Sequence, residues 1–205
     1  MTICPYQIIV VGASLGGLRA LEVLLSGLPK SFAVPVAIAQ HRYKDSDETL
    51  SVVLQRQCPL PVTEAEDKDK ILPGQVYLAP ADYHLLIEAG GHQEDESETL
   101  THTFALSTEA PVSYARPSID ALFESAADAY AERVIGVILT GASHDGAKGL
   151  VKIKESGGLA VVQNPKTAEC RVMPEAAIAA VTSAKILPIE GIAPFLVYLC
   201  QPAPR

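Results

Sequence analysis

The feature that most constrains the fold is a repeated alternation between short, densely apolar segments and longer segments with helical spacing. The run Ile-Ile-Val-Val at 8–11 has no polar residue, which is typical of a strand buried on both faces of a parallel sheet. Leucines at helical spacing follow, at Leu18, Leu21, Leu25 and Leu28. Pro29 then ends that segment, as expected at the end of a helix. The first 30 residues therefore predict a β-strand, a tight turn and an amphipathic helix.

The same alternation continues along most of the chain. It predicts further strands at residues 34–39, 76–79, 134–139, 159–162 and near 186, and further helices at 49–57, 119–130, 146–156, after 174 and at 192–199. Residues 84–88 and 99–106 instead predict an antiparallel ribbon, with an acidic tip at 94–98. We therefore predict an α/β fold with a doubly wound, mostly parallel sheet and an antiparallel β-ribbon at its edge.

Composition narrows the functional class. A chain of 205 residues without a linker-like segment predicts a single domain over 1–205. The formal net charge of −8 argues against non-specific binding of nucleic acid or anionic lipid. No apolar run approaches the roughly 18 residues of a membrane span, and no signal peptide is evident. The four cysteines form no C-x-x-C pair, which makes a zinc site unlikely. We expect a cytoplasmic protein that is not inserted in a membrane.

Three loops after predicted strands contain the candidate functional residues, because doubly wound sheets bind ligands at the carboxyl ends of their strands. The first loop, Gly12-x-Ser14-x-Gly16, joins a strand to a helix, as in a nucleophile elbow. The alternative is a phosphate-binding turn. A dinucleotide fingerprint, however, has glycine at the place of Ser14 and an acidic residue at the place of Gln40-His41. This loop alone leaves both interpretations open.

The other two loops supply a base and a carboxylate. His41 follows the second strand and Asp145 follows the strand that ends near 139. A serine hydroxyl needs a general base, and His41 is our candidate, with Asp145 as the group that orients it. His144 is the competing base, but residues adjacent in sequence rarely orient each other. Each residue also has a non-catalytic alternative. His41 would be an incidental histidine at a strand end, and Asp145 would cap the helix that starts at Gly146.

Several segments together resemble the catalytic domain of the chemotaxis protein-glutamate methylesterases, the CheB family. They are residues 10–21 (VVGASLGGLRAL), 39–41 (AQH), 73–80 (PGQVYLAP), 111–123 (PVSYARPSIDALF), 137–141 (VILTG), 145–149 (DGAKG) and 173–174 (MP). The resemblance covers a core of about residues 6–190. It implies a serine hydrolase with the doubly wound fold predicted above.

The resemblance also implies roles for individual residues. Ser14 would be the nucleophile, His41 the base and Asp145 its orienting carboxylate, and the backbone amides of His41 and Ala142 would form the oxyanion hole. The implied reaction removes methyl esters from glutamate side chains of chemoreceptors, and some members also deamidate glutamine. No metal and no cofactor is implied. The implied partners are a methyl-accepting receptor, a receptor methyltransferase and a separate receiver protein.

The sequence departs from the family pattern where substrate would be contacted. Leu15 stands where threonine or alanine is usual, and Gly141-Ala142-Ser143 replaces Gly-Met-Gly. We name four weaker candidates near the substrate, which are Leu15, Arg116, Arg171 and Met173. The first strand begins near residue 7, so we expect no receiver domain and no regulation by phosphorylation within this chain. Two alternatives remain: a serine esterase or amidase with another substrate, and a non-catalytic signalling adaptor on the same fold.

Overall fold

The computed structural model describes residues 4–46, 49–90 and 101–200. These residues form nine strands and six α-helices. The strands are β1 (Ile8–Ala13), β2 (Val36–Gln40), β3 (Val62–Glu64), β4 (Val76–Leu78), β5 (His84–Glu88), β6 (Thr103–Ser107), β7 (Val134–Ile138), β8 (Leu159–Gln163) and β9 (Lys185–Leu187). The helices are α1 (Gly17–Ser26), α2 (Thr49–Gln55), α3 (Ile119–Tyr130), α4 (Ala147–Glu155), α5 (Val172–Ala180) and α6 (Ile189–Cys200). The predicted α/β class is confirmed.

Seven of the strands form one parallel sheet in the order β3-β4-β2-β1-β7-β8-β9. The chain starts at the centre with β1 and adds β2 beside it. It then forms the edge strand β3 before β4 fills the place between β3 and β2, and later returns to β7 on the other side of β1. The strand order therefore reverses beside β1, and such switch points are where open α/β sheets bind ligands. The loops after β1, β2 and β7 all open at this point.

Helices cover both faces of the sheet, which explains why the apolar run at 8–11 has no polar residue. Ile9 and Val11 pack on the face covered by α1, α2 and α6. Ile8 and Val10 point to the opposite face, covered by α3, α4 and α5. All four side chains are fully buried. Burial on two faces is the environment that favours parallel strands of aliphatic residues.

The antiparallel ribbon is present, but it forms its own two-stranded sheet from β5 and β6. It lies on α3 and shares the apolar cluster of that helix through Leu85, Ile87 and Phe104. An isolated bridge between Lys70 and Thr103 joins it to the loop before β4. The predicted antiparallel ribbon is therefore confirmed, as a two-stranded sheet that packs on α3. The acidic tip at 94–98 lies outside the described residues.

One strand is absent from the predicted pattern and one helix begins earlier than predicted. Strand β3 was not predicted because it has three residues, of which only Val62 is buried, and so short a segment has no readable period. Helix α5 begins at Val172, before Pro174, since proline is tolerated in a first helical turn, where its missing N–H is not needed. No helix in the described ranges is long and apolar enough to cross a membrane.

Candidate active site

Ser14 and His41 lie side by side because they follow two adjacent strands. The last residues of β1 and β2, Ala13 and Gln40, are register partners in the sheet. The backbone N–H of His41 donates to the carbonyl of Ala13 at 2.9 Å, which extends the ladder by one bond. The backbone N–H of Ser14 donates to the carbonyl of Thr140 after β7 at 3.0 Å. The sheet therefore brings the three predicted loops to one edge.

His41 and Asp145 are in direct contact. The Nε2 atom of His41 is 2.7 Å from Oδ2 of Asp145, and Nδ1 is the ring nitrogen that Asp145 does not use. The Asp145 side chain is completely buried, whereas the His41 side chain is 15% exposed. The imidazole therefore connects a buried carboxylate to the solvent-facing side of the site, which is the placement expected for a base and its orienting group.

Asp145 accepts three further hydrogen bonds from the start of α3. The backbone N–H groups of Ile119 and Asp120 donate at 2.7 and 3.0 Å, and the hydroxyl of Ser118 donates at 3.0 Å. Burial raises the pKa of Asp145, but the hydrogen bonds from His41, Ile119 and Asp120 together outweigh burial and lower that pKa below its usual value. A helix N-terminus also favours negative charge. Asp145 is therefore a carboxylate at neutral pH.

These contacts decide between the two interpretations of the Asp145 side chain. Helix α4 has Gly146 at its N-cap, in the left-handed region with φ 94°, and it is the carboxylate of Asp120, not that of Asp145, that accepts N–H groups at the start of this helix. The carboxylate of Asp145 instead caps α3, a helix that begins 26 residues earlier. His144, the competing base, is exposed, and it is His41 that meets the carboxylate.

Ser118 and Asp120 belong to this network, although the sequence analysis gave them no role. Ser118 is fully buried and accepts the backbone N–H of Ala121 at 3.3 Å as the N-cap of α3. Asp120 accepts the backbone N–H groups of Gly146 and Gly149 at 2.9 and 2.7 Å. Burial, helped by the charge of Asp145, raises the pKa of Asp120 to about 6 against the lowering effect of these amides. A serine before a helical pattern was the available signal.

Ser14 lies in a tight turn between β1 and α1. The carbonyl of Ser14 accepts the backbone N–H of Gly17 at 2.8 Å. Gly16 has φ 77°, a left-handed conformation that favours glycine. The Ser14 hydroxyl makes no hydrogen bond to any other residue in the described ranges, and its residue is only partly buried. The turn thus presents an unengaged hydroxyl at a strand-to-helix junction, as in a nucleophile elbow.

The two predicted oxyanion donors differ in availability. The N–H of His41 is already hydrogen-bonded to Ala13, so a substrate oxygen at that amide would compete with a backbone carbonyl. Ala142 is exposed, and its N–H donates to no other described residue. The same holds for the N–H of Leu15, directly after Ser14, a position that contributes a donor in nucleophile elbows. Ala142 and Leu15 therefore present open amides beside the serine.

Of the four weaker substrate candidates, only Leu15 is among the residues that line the cleft beside Ser14. An open cleft of about 750 Å³ is lined by Ser14, His41 and Leu15, among others, and Leu15 is 56% exposed. Arg116 donates to Asp82 at 2.9 Å and to two backbone carbonyls, and it does not line this cleft. The interaction with Asp82 therefore gives Arg116 a structural partner.

Arg171 and Met173 also lie outside that cleft lining. Arg171, the residue before α5, is exposed and pairs with Glu175 in the first turn of that helix at 3.5 Å. Met173 is buried, and its sulfur and methyl group pack so close to Gly141 that a Cβ there would lie 2.7–2.8 Å from them. The same Cβ would lie 2.8 Å from Cβ of Ser14, so the buried Met173 side chain packs against the loop after β7 close to Ser14.

His84 contacts the network around Asp145, because its Nδ1 atom accepts the backbone N–H of Ser118 at 3.2 Å. His84 and His102 are buried and bond the carbonyls of Ala110 and Ala129 at 3.2 and 3.1 Å, which ties the ribbon region to its surroundings. Within the ranges that the structure describes, no group of histidine, cysteine, aspartate and glutamate side chains has the arrangement of a metal site.

Comparison with known proteins gives a consistent family. A family model described as CheB methylesterase matches residues 9–196. A putative protein-glutamate methylesterase/protein-glutamine glutaminase of Leptospira interrogans is 46% identical over 196 residues, 96% of each chain. The protein-glutamate methylesterase FrzG of Myxococcus xanthus is 35% identical over 92% of this chain and 53% of its own length. The crystal structure of the Thermotoga maritima CheB methylesterase catalytic domain superposes with a TM-score of 0.87 at 32% identity, covering 95% of this chain and 98% of that one.

Proposed function

The chain belongs to the CheB methylesterase family, and on that premise we propose that it hydrolyses glutamate methyl esters with Ser14 as nucleophile, His41 as base and Asp145 as orienting carboxylate. The observation that carries this assignment is the 2.7 Å contact between His41 and the buried Asp145, at the strand end beside Ser14. A hydroxyl with a high pKa becomes a nucleophile when such a base removes its proton.

The proposed reaction proceeds in two stages. The Ser14 oxygen attacks the ester carbonyl as its proton passes to Nδ1 of His41, and a tetrahedral oxyanion forms. The open amides of Leu15 and Ala142 are suited to hold that oxyanion, since donors aimed at developing charge are a large part of acyl-transfer catalysis. The proton then passes to the departing oxygen and methanol leaves. Water, deprotonated by His41, releases the glutamate carboxylate from Ser14.

Asp145 stabilises the imidazolium that exists during both stages. Its lowered pKa keeps it ionised, and its four hydrogen bonds fix the carboxylate so that it orients the ring. The buried position matters because attraction between opposite charges is stronger where water is excluded. No step of this scheme uses a metal or a cofactor.

The proposed substrate is a methylated chemoreceptor-type protein, and the proposed setting is the cytoplasm. The names of several relatives also print protein-glutamine glutaminase, which supports deamidation of receptor glutamine as a second activity, with ammonia in place of methanol. A receptor methyltransferase would supply the ester, and a separate receiver protein would regulate the reaction. We further propose that residues 1–205 act as one catalytic domain.

The experiment is an assay of methanol release from a receptor carrying labelled methyl esters. The purified chain should release methanol and Ser14→Ala should not. Reaction of Ser14 with a fluorophosphonate probe reports the nucleophile independently of the substrate. A labelled Ser14 without methanol release would favour an esterase or amidase with another substrate. An unlabelled Ser14 would favour the non-catalytic adaptor.

A further inference from the structure

We propose that Gln40 is a positioning residue whose side-chain amide holds the Ser14 loop and the His41 loop in their catalytic arrangement. This inference rests on the proposed function, because it matters only if Ser14 and His41 react together. Gln40 is the last residue of β2 and precedes His41. Its side chain reaches the turn after β1, so it connects the Ser14 loop with the His41 loop.

The contacts of Gln40 reach both catalytic residues. Its Nε2 atom donates to the backbone carbonyl of Ser14 at 2.9 Å and to the backbone carbonyl of His41 at 2.9 Å. A primary amide has two N–H donors, and here each is used by one of the two loops. One side chain therefore fixes the distance between the peptide units that carry the nucleophile and the base.

The orientation of the amide follows from its surroundings. Both Nε2 partners are carbonyl oxygens, which only accept, so a rotated amide would place Oε1 against two acceptors. The Oε1 atom is buried and has no hydrogen-bond partner among the described residues. Buried acceptors in native proteins are nearly always paired. The fold therefore leaves Oε1 of Gln40 unpaired and keeps both hydrogen bonds of Nε2. This indicates that the role of Gln40 is to make those two hydrogen bonds.

Gly17 makes room for this arrangement. A Cβ atom at Gly17 would lie 1.9 Å from Oε1 of Gln40, so any other residue at position 17 would displace the amide. The carbonyl of Ser14 also accepts the N–H of Gly17 at 2.8 Å. The Ser14 turn, the start of α1 and the Gln40 amide therefore form one packed unit, in which a shift of Gln40 is passed directly to Ser14.

The test compares three variants that differ in what they do to the amide. Gln40→Met keeps the length of the side chain and removes both donors. Gly17→Ala leaves Gln40 in the sequence but displaces its amide. Gln55→Met is the matched control, because Nε2 of Gln55 also bridges two backbone carbonyls, those of Cys58 and Leu60 at 3.2 and 3.1 Å. Gln55 lies at the end of α2 and does not line the cleft.

We expect Gln40→Met and Gly17→Ala to lower kcat for a small methyl ester roughly 10²-fold, with little change in KM, because misplacement of reacting groups by about 1 Å has an effect of that size. The rate of fluorophosphonate labelling at Ser14 should fall in parallel. Gln55→Met should keep kcat within about twofold, even if it lowers Tm by as much as Gln40→Met. A loss of kcat with Gln40→Met no greater than that with Gln55→Met would overturn the proposal.

Gln40→Glu gives a readout that a purely structural role would not move. A glutamate carboxylate would face two carbonyl oxygens, whereas its protonated form donates one hydrogen bond. The ratio of the kcat of Gln40→Glu to that of the wild type should therefore rise as the pH is lowered towards the carboxyl pKa, normally about 4.3. A ratio that does not change with pH would contradict the proposal. If Ser14→Ala retained full activity, the proposed function itself would fail, and that outcome is distinct from either result at Gln40.

Discussion

Asp145 is anchored by Ile119, the first residue of α3, whose backbone N–H donates to Oδ2 at 2.7 Å. The same oxygen meets Nε2 of His41 at 2.7 Å. The residue that orients the proposed base is therefore also a side-chain cap of α3. Substitution of Asp145 should for that reason affect both activity and stability.

Asp145→Asn should lower kcat by about 10⁴, because an amide in place of the carboxylate favours the wrong imidazole tautomer. It should also lower the free energy of unfolding by about 1–3 kcal/mol, since the amide NH2 group would face donors of α3 and leave one buried group unsatisfied. Urea unfolding and ester hydrolysis on the same preparation test both effects. Ser14→Ala is the control, with lost activity and almost unchanged stability. Equal stability of the Asp145→Asn variant and the wild type would contradict the capping role.

The proposed nucleophile and base should act as a unit. Ser14→Ala and His41→Ala should each lower hydrolysis by a factor on the order of 10⁶, and the double variant should be hardly slower, because neither residue works without the other. His144→Ala is the matched control, an exposed histidine next to Asp145, and it should retain wild-type kcat. Multiplicative losses in the double variant would show that Ser14 and His41 are not partners.

Ser118→Ala should weaken the support of Asp145 from α3. The variant loses the hydroxyl that donates to Asp145 and the acceptor for the N–H of Ala121. Loss of a serine N-cap alone costs about 1 kcal/mol, and the buried carboxylate loses one donor in addition, so we expect about 2 kcal/mol from chemical denaturation. Ser26→Ala removes an exposed hydroxyl at the end of α1 and should stay within about 0.5 kcal/mol. A similar loss in both variants would contradict the role given to Ser118.

The sequence predicts the relative placement of those candidate residues that directly follow strands. Ser14 and His41 occupy adjacent strand ends, and parallel topology brings such positions together, so their proximity could be predicted without coordinates. The contact of Asp145 with His41 is the one expected from the sequence, because His144 is too close in sequence to be oriented by Asp145. The catalytic roles of these residues remain predictions.

The supporting contacts of the site could not be predicted, because they join segments that are distant in sequence. The bridge from Gln40 to Ser14 joins residues 26 positions apart, and the bonds from Asp145 to α3 span a similar distance. No period or motif reports such contacts. For the same reason Arg116 looked like a surface residue free to meet substrate, whereas the fold pairs it with Asp82.

Asp120 should make stability depend on pH in the direction opposite to ordinary carboxylates. Its pKa is raised from 3.8 to about 6, chiefly by burial, so the folded state binds a proton that the unfolded state has released between these values. The contribution of Asp120 to the free energy of unfolding is therefore complete below the pKa of the unfolded state, and it is lost as the pH rises through about 6. The full shift corresponds to about 3 kcal/mol. Asp145, with its lowered pKa, contributes the reverse dependence at lower pH.

Asp120→Asn isolates this effect. The uncharged amide can still accept the N–H groups of Gly146 and Gly149, as Asp120 does, but it has no proton to release. Urea unfolding at several pH values between about 4 and about 7 should show the wild type losing stability relative to the variant as the pH rises. Glu124→Gln is the matched control, an exposed carboxyl on the same helix, which should leave the wild-type pH profile unchanged. A constant difference in stability between wild type and Asp120→Asn across this range would mean that Asp120 has the same pKa in the folded and unfolded states.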